Sequence, residues 1–174
     1  LHVAVIMPPL PSGKQRPALQ WALENVNAGG GVAGRSLVLD EVPLDPRAEP
    51  TSQRALAERV AADDTYVAAI GLGNSETLAA LADSFVQHKK PVVSFNSTAA
   101  DILRAYGGKG FIWRTRESDI GQTELMVRYA AAQGAKRLAL VVSSGISGQT
   151  FFSWFGFFAH DLGFAEDSIH IDVV

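Results

Sequence analysis

Residues 66–75, YVAAIGLGNS, continuing into ETLAALADSFVQ (76–87) and PVVSFNST (91–98), decide the fold. Tyr66–Ile70 is a short apolar run ended by Gly71 and reads as a strand. Gly71-Leu72-Gly73-Asn74-Ser75 punctuates it, and Asn and Ser are ordinary helix caps. The chain then reads as a helix over Ser75–Gln87, a strand over Pro91–Phe95 and a short helix over Thr98–Ala105. Strand, helix and strand in this order make a crossover unit with parallel strands.

The same alternation extends in both directions. Upstream, Leu1–Met7 reads as a strand stopped by Pro8-Pro9, and Pro17 opens a helix running to about Asn27. Gly29-Gly30-Gly31 ends that helix, Ser36–Val42 is a second strand, and Thr51–Ala62 is a helix after a proline-rich loop. Downstream, Phe111–Thr115 is a strand, Asp119–Gln133 a helix, Arg137–Val142 a strand, Gly148–Leu162 a helix and Ser168–Val174 a last strand. The expected class is α/β: a doubly wound parallel sheet with helices on both faces. A seam at Arg116-Glu117-Ser118 would divide a first lobe, residues 1–117, from the beginning of a second, 118–174.

The chain has 174 residues, 47% of them hydrophobic and 19% charged, which is the balance of a folded protein rather than a disordered one. A net charge of -3 offers no basic excess for a phosphate backbone, so no nucleic-acid partner is expected. With no cysteine there is no disulfide, thiol catalysis or Cys-bound zinc. No signal peptide is visible, and the opening at Leu1 directly in a strand suggests a mature or trimmed product.

In an open α/β sheet, ligands bind outside the carboxyl ends of the strands. Four loops there carry the expectation: 8–16, 71–75, 94–98 and 143–148. Three are rich in Gly, Ser, Asn and Thr, which offer hydroxyls and backbone N–H groups but few titratable ones. A helix N-terminus exposes unpaired amides and a partial positive charge, so a carboxylate or phosphate suits it. Ser75 could add its hydroxyl, although a plain cap explains the same residues. Ser94-Phe95-Asn96-Ser97-Thr98 repeats the arrangement, with Thr98 and Asp101 spaced as a capping box. Together the two turns could hold both oxygens of one carboxylate, with Glu76 the one residue that opposes an anion.

These residues, in this order, resemble the leucine/isoleucine/valine-binding protein family, the type I periplasmic solute-binding proteins of ABC importers. The matching features are ALENVNAGGGVAG at 22–34, Asp45-Pro46, Ala69-Ile70-Gly71 with Ser75, and Pro91-Val92-Val93-Ser94 with Thr98. Trp113-Arg114-Thr115 with Asp119 and Gly121, and Gly134-Ala135-Lys136-Arg137 with Gly148, complete the set. The resemblance implies two α/β lobes joined by a hinge, with a small carboxylate-bearing solute, such as a branched-chain amino acid, held between them. It implies ligand contacts from Ser75, Ser97 and Thr98, with Asn96 a purely geometric addition. It further implies a periplasmic or extracellular protein, a membrane permease as partner, no catalysis, and no cofactor or metal. A ligand-sensing or interaction role on the same fold is the alternative. The family is about twice as long, so the chain would hold the first lobe and only the start of the second. Two departures concern the ligand: loop 8–16 has no aromatic residue, and Ser147 falls where the family often places one.

Enzyme motifs fail. The dinucleotide fingerprint lacks its third glycine, the P-loop lysine is missing, and no Gly-x-Ser-x-Gly elbow occurs. His2, His88, His160 and His170 are scattered, and Asp63-Asp64 and Lys89-Lys90 read as solvated helix ends. Phe151, Phe155, Phe158 and Leu162 share one helical face and read as core, as do Leu19, Leu23 and Val26 of the first helix. Trp21 and Phe157 fall off those faces, and a homodimer through such exposed aromatics is one expectation they raise.

Overall fold

The computed structural model describes residues 1–8 and 16–174. Its strands are β1 (His2–Met7), β2 (Val38–Pro43), β3 (Tyr66–Gly71), β4 (Val92–Ser94), β5 (Ile112–Arg114), β6 (Leu138–Val142) and β7 (Ile169–Val173). Its helices are α1 (Arg16–Ala28), α2 (Pro50–Ala62), α3 (Ser75–Gln87), α4 (Ala100–Tyr106), α5 (Asp119–Ala132) and α6 (Ile146–Asp161). The first five strands form one sheet in the order β2-β1-β3-β4-β5, and β6 and β7 form a second; every pairing is parallel. Of the four expected ligand loops, 8–16 falls almost wholly outside the described residues.

Burial explains the larger sheet. β1 is buried from Val3 to Met7 because β2 and β3 flank it and helices cover both faces. On α3, Leu78, Leu81, Ala82 and Phe85 follow the 3–4 spacing of one helical face, and all four are buried. They join Ile6, Ala69, Val92, Ile102 and Ile112 in the main core. Gly71 closes β3 onto β1: its φ is 120°, and a Cβ there would lie 2.0 Å from the Ile6 carbonyl oxygen. No side chain fits, and the Leu72 amide then bonds that same carbonyl at 2.9 Å.

The second sheet has its own core, built from Val127, Leu138, Leu140, Val142, Phe155, Phe158 and Ala159. Phe151 and Leu162 pack against it, and Phe157 stands exposed, edge-on to Trp154 at 5.6 Å between ring centroids.

Several expectations from the sequence need correction. Helix α4 begins at Ala100, not Thr98, and its N-cap is Ala99 with no side-chain cap bond, so the Thr98–Asp101 capping box does not form. Asp101 instead pairs with Arg104 at 3.1 Å. Helix α6 begins two residues before Gly148, at Ile146. Val26 is exposed, and Leu19 and Leu23 of the same helix are only half-buried. Lys90 is buried rather than solvated. Lys89 adopts a left-handed φ of 53° that ends α3, and the Lys90 side chain folds back to donate to the Asp63 carbonyl at the end of α2.

Candidate functional site

The carboxyl ends of β3 and β4 bring Ser75 and the 94–98 loop together. Asn74 is the N-cap of α3, its side chain accepting from the Thr77 amide at 2.8 Å. This is the capping that the sequence suggests, and it leaves Ser75 at the first helical position, pointing inward. The Ser75 hydroxyl oxygen accepts from the amides of Thr98 and Ala99, both at 3.1 Å, and its hydroxyl shares a hydrogen bond with that of Ser97 at 3.3 Å. The two turns therefore meet at one atom. The amides that the sequence left free at the start of α4 are drawn onto Ser75, which also keeps residues 98 and 99 out of the helix.

Of the four expected site residues, Ser75 and Ser97 are buried, Thr98 is half-buried and Asn96 is exposed. Asn96 accepts a long contact, 3.5 Å, from the Arg116 guanidinium. A serine hydroxyl has one proton and two lone pairs. The two amides engage both lone pairs of Ser75, so its proton serves the bond to Ser97 and the pair of hydroxyls retains one proton to donate.

Two charged side chains, beyond those the sequence singled out as contacts, frame this loop. Arg114 donates to the carbonyls of Thr98 and Ala99 at 2.7 and 3.1 Å, which fixes the loop from below. Burial lowers the Arg114 pKa, and the neighbouring Asp119 charge offsets the effect. Asp119 opens α5, and its amide bonds the Thr98 carbonyl at 3.1 Å. Its carboxylate is fully buried, and neither oxygen has a hydrogen-bond partner of good geometry. Desolvation holds its pKa above the usual carboxylate range; the Thr98 side chain and Arg114 pull it back, and Glu76 adds to the rise. Asp119 appears in the sequence only as one letter of a pattern, because nothing local marks it as buried.

Glu76 faces away from this knot. Its Oε1 accepts from the Ser147 amide at 3.2 Å, in the first turn of α6. Beside that contact, Ile146 packs against the main core. The 143–148 loop therefore meets the first sheet's loops through Glu76 and Ile146. A cleft of about 660 Å³ opens next to it, lined by Asp101, Arg104, Ser144, Gly145, Gln149 and Phe152 among others. None of Ser75, Asn96, Ser97 and Thr98 lines this cleft, which is framed by α4 itself rather than by the loop preceding it.

His2, His88 and His170 each pair with a single carboxylate, from Asp40, Glu58 and Asp172. Among the described residues no group of three or more metal-ligating side chains forms, and no helix is long and apolar enough to cross a membrane.

Against known proteins, the sequence profile of a family described as periplasmic binding protein matches residues 11–168. The chain belongs to the periplasmic binding protein family. It is 32% identical over 126 residues to the chemotactic signal transduction system substrate-binding protein BasB of Halobacterium salinarum, covering 68% of this chain and 30% of that protein. Its fold matches an ABC transporter substrate-binding protein from Desulfitobacterium hafniense in complex with Leu, with a TM-score of 0.81 and 24% identity, over 99% of this chain and 50% of that one. It also matches a solute-binding protein from Rhodopseudomonas palustris in complex with 3,4-dihydroxybenzoic acid, with a TM-score of 0.80 and 21% identity, over 100% and 47%. The chain thus spans about half the length of these solved relatives, and less of the chemotactic one. The type I periplasmic binding protein fold expected from the sequence is the fold observed. These relatives give no support to a homodimer through exposed aromatics.

Proposed function

We propose that this periplasmic binding protein takes part in extracytoplasmic capture of a small carboxylate-bearing solute, an amino acid or an aromatic acid, for ABC-type import through a membrane permease. In this reading residues 1–117 are the first lobe and 118–174 begin the second. Ser75 and Thr98 would offer hydroxyl protons to the solute's carboxylate, with Ser97 and Asn96 shaping the same turn. The observation that carries the reading is the convergence of two strand-ending loops on the Ser75 oxygen, in a chain whose family binds solutes. Because the Ser75 oxygen already accepts from two amides and its hydroxyl is bonded to Ser97, the one proton that the Ser75–Ser97 pair has left selects a guest that accepts hydrogen bonds. The exposed guanidinium of Arg116 beside Asn96 favours a negative guest over a neutral one.

Calorimetric titration of the protein encoded by the full reading frame tests this. L-leucine and 3,4-dihydroxybenzoate are the probes, with leucinol and 3,4-dihydroxybenzyl alcohol as carboxylate-free controls. Binding of at least one acid, lost in its alcohol, is expected. Equal binding of acid and alcohol, or no binding of either acid, would overturn the reading. A sensing role is the second reading, favoured by the chemotactic relative. It shares the pocket and differs only in the partner.

A further inference from the structure

Glu76 sits on the first turn of α3, beside Ser75, yet its carboxylate serves another helix. Helix α6 lacks a cap of its own: Gly145 is the N-cap, without a side chain, and no acidic residue occupies the first turn. Sixteen residues of aligned peptide dipoles leave a partial positive charge and unpaired amides at that end. Glu76 Oε1 meets them by accepting from the Ser147 amide at 3.2 Å. Gly145 is shaped to this approach. Its φ is 120°, and a Cβ there would lie 3.2 Å from the same Oε1. The residue before Ser147, Ile146, packs against the main core, so a polar and an apolar contact act at a single point. The base of the contact is firm, because the adjacent Ser75 is buried and holds the amides of Thr98 and Ala99.

We propose that Glu76 is a clasp: by capping α6 from α3 it holds the second unit against the first without any solute, and so sets how closed the resting molecule is. The proposal rests on the two-lobe reading above, in which α3 and α6 stand on opposite sides of the solute cleft. Glu76 is a positioning residue here, and a contact made in only one arrangement of two bodies shifts the balance toward that arrangement.

The test uses no solute, so it is independent of whether leucine or 3,4-dihydroxybenzoate binds. The sequence has no cysteine, and spin labels at Ala62→Cys and Lys136→Cys therefore report one distance, between α2 and the segment before β6. Glu76→Ala removes the clasp. Glu76→Asp keeps the charge at the start of α3 but shortens the reach by one methylene, so a change shared by both variants cannot come from α3 alone. Both variants are expected to lengthen and broaden the distance distribution. Both should also speed amide exchange at Ser147 by about two- to tenfold, with Thr77 unchanged. An unchanged distance distribution in Glu76→Ala would overturn the proposal, as would unchanged Ser147 exchange. Failure of both acids to bind, with the distance still responding to Glu76, would remove the solute reading and leave the clasp standing.

Discussion

The two sheets are built from the same kind of strand but are covered differently. In β1 every residue from Val3 to Met7 is buried, whereas β6 alternates: Leu138, Leu140 and Val142 are buried, and Ala139 and Val141 face out. Val141 is 64% exposed and Val173 of β7 is 56% exposed. Parallel strands are ordinarily covered on both faces. Within the five-stranded sheet β1 meets that rule, whereas β6 meets it on one face only. Stability should therefore be unequal along the chain, with cooperative loss centred on α3 and easier opening around α6.

The largest expected effect breaks the first unit. Phe85 is fully buried in the main core, so Phe85→Ala should cost about 3–5 kcal/mol. Phe158→Ala, in the smaller core beside Trp154, should cost less and act locally. Urea unfolding followed by Trp154 fluorescence, with Trp21 and Trp113 replaced by Phe, against far-ultraviolet dichroism of the whole chain, separates the two. Coincident curves in the parent and equal losses in the two variants would dissolve the contrast.

Ser75→Ala comes next. It strips the acceptor from the amides of Thr98 and Ala99, the latter in a buried residue, and should destabilise the first unit by about 1–3 kcal/mol without any solute. Urea midpoints measure this directly. An unchanged midpoint would mean the two loops are not tied through that oxygen.

The smallest effect concerns the junction. Because the folded pKa of Asp119 lies above its ordinary value near 3.8, the folded state holds the proton more tightly than the unfolded one. Its contribution to stability is therefore fullest at low pH and is lost as the pH rises from that ordinary value through the folded one. Asp119→Asn should be as stable as the parent near pH 4 and slightly more stable at pH 7, read as a difference in urea midpoint. A gap that shrinks as the pH rises would contradict the sign.

The periodic parts of this architecture were legible because strand and helix patterns are local. The strand read as Tyr66–Ile70 and the α3 helix follow directly from apolar spacing and the Asn74 cap. Boundaries failed where a distant partner decided them: Thr98 looks like a cap, but Ser75, more than twenty residues earlier, takes its amide. Lys90 looks solvated because nothing nearby reveals the Asp63 carbonyl waiting at the end of α2. The pairing of loops 71–75 and 94–98 at one sheet edge was readable from strand order. The part played by Arg114, Asp119 and Glu76 was not, since it depends on contacts across the fold.

In the capture proposed above, the knot at Ser75 has a consequence for the speed of recognition. A turn that must fold around its visitor spends time and ordering entropy at each encounter. Here the arrangement is tied in advance by bonds internal to the chain, so the visitor need supply only the final contact. Under that proposal any delay in capture belongs to the movement of whole halves, with the turn serving as a ready-made socket.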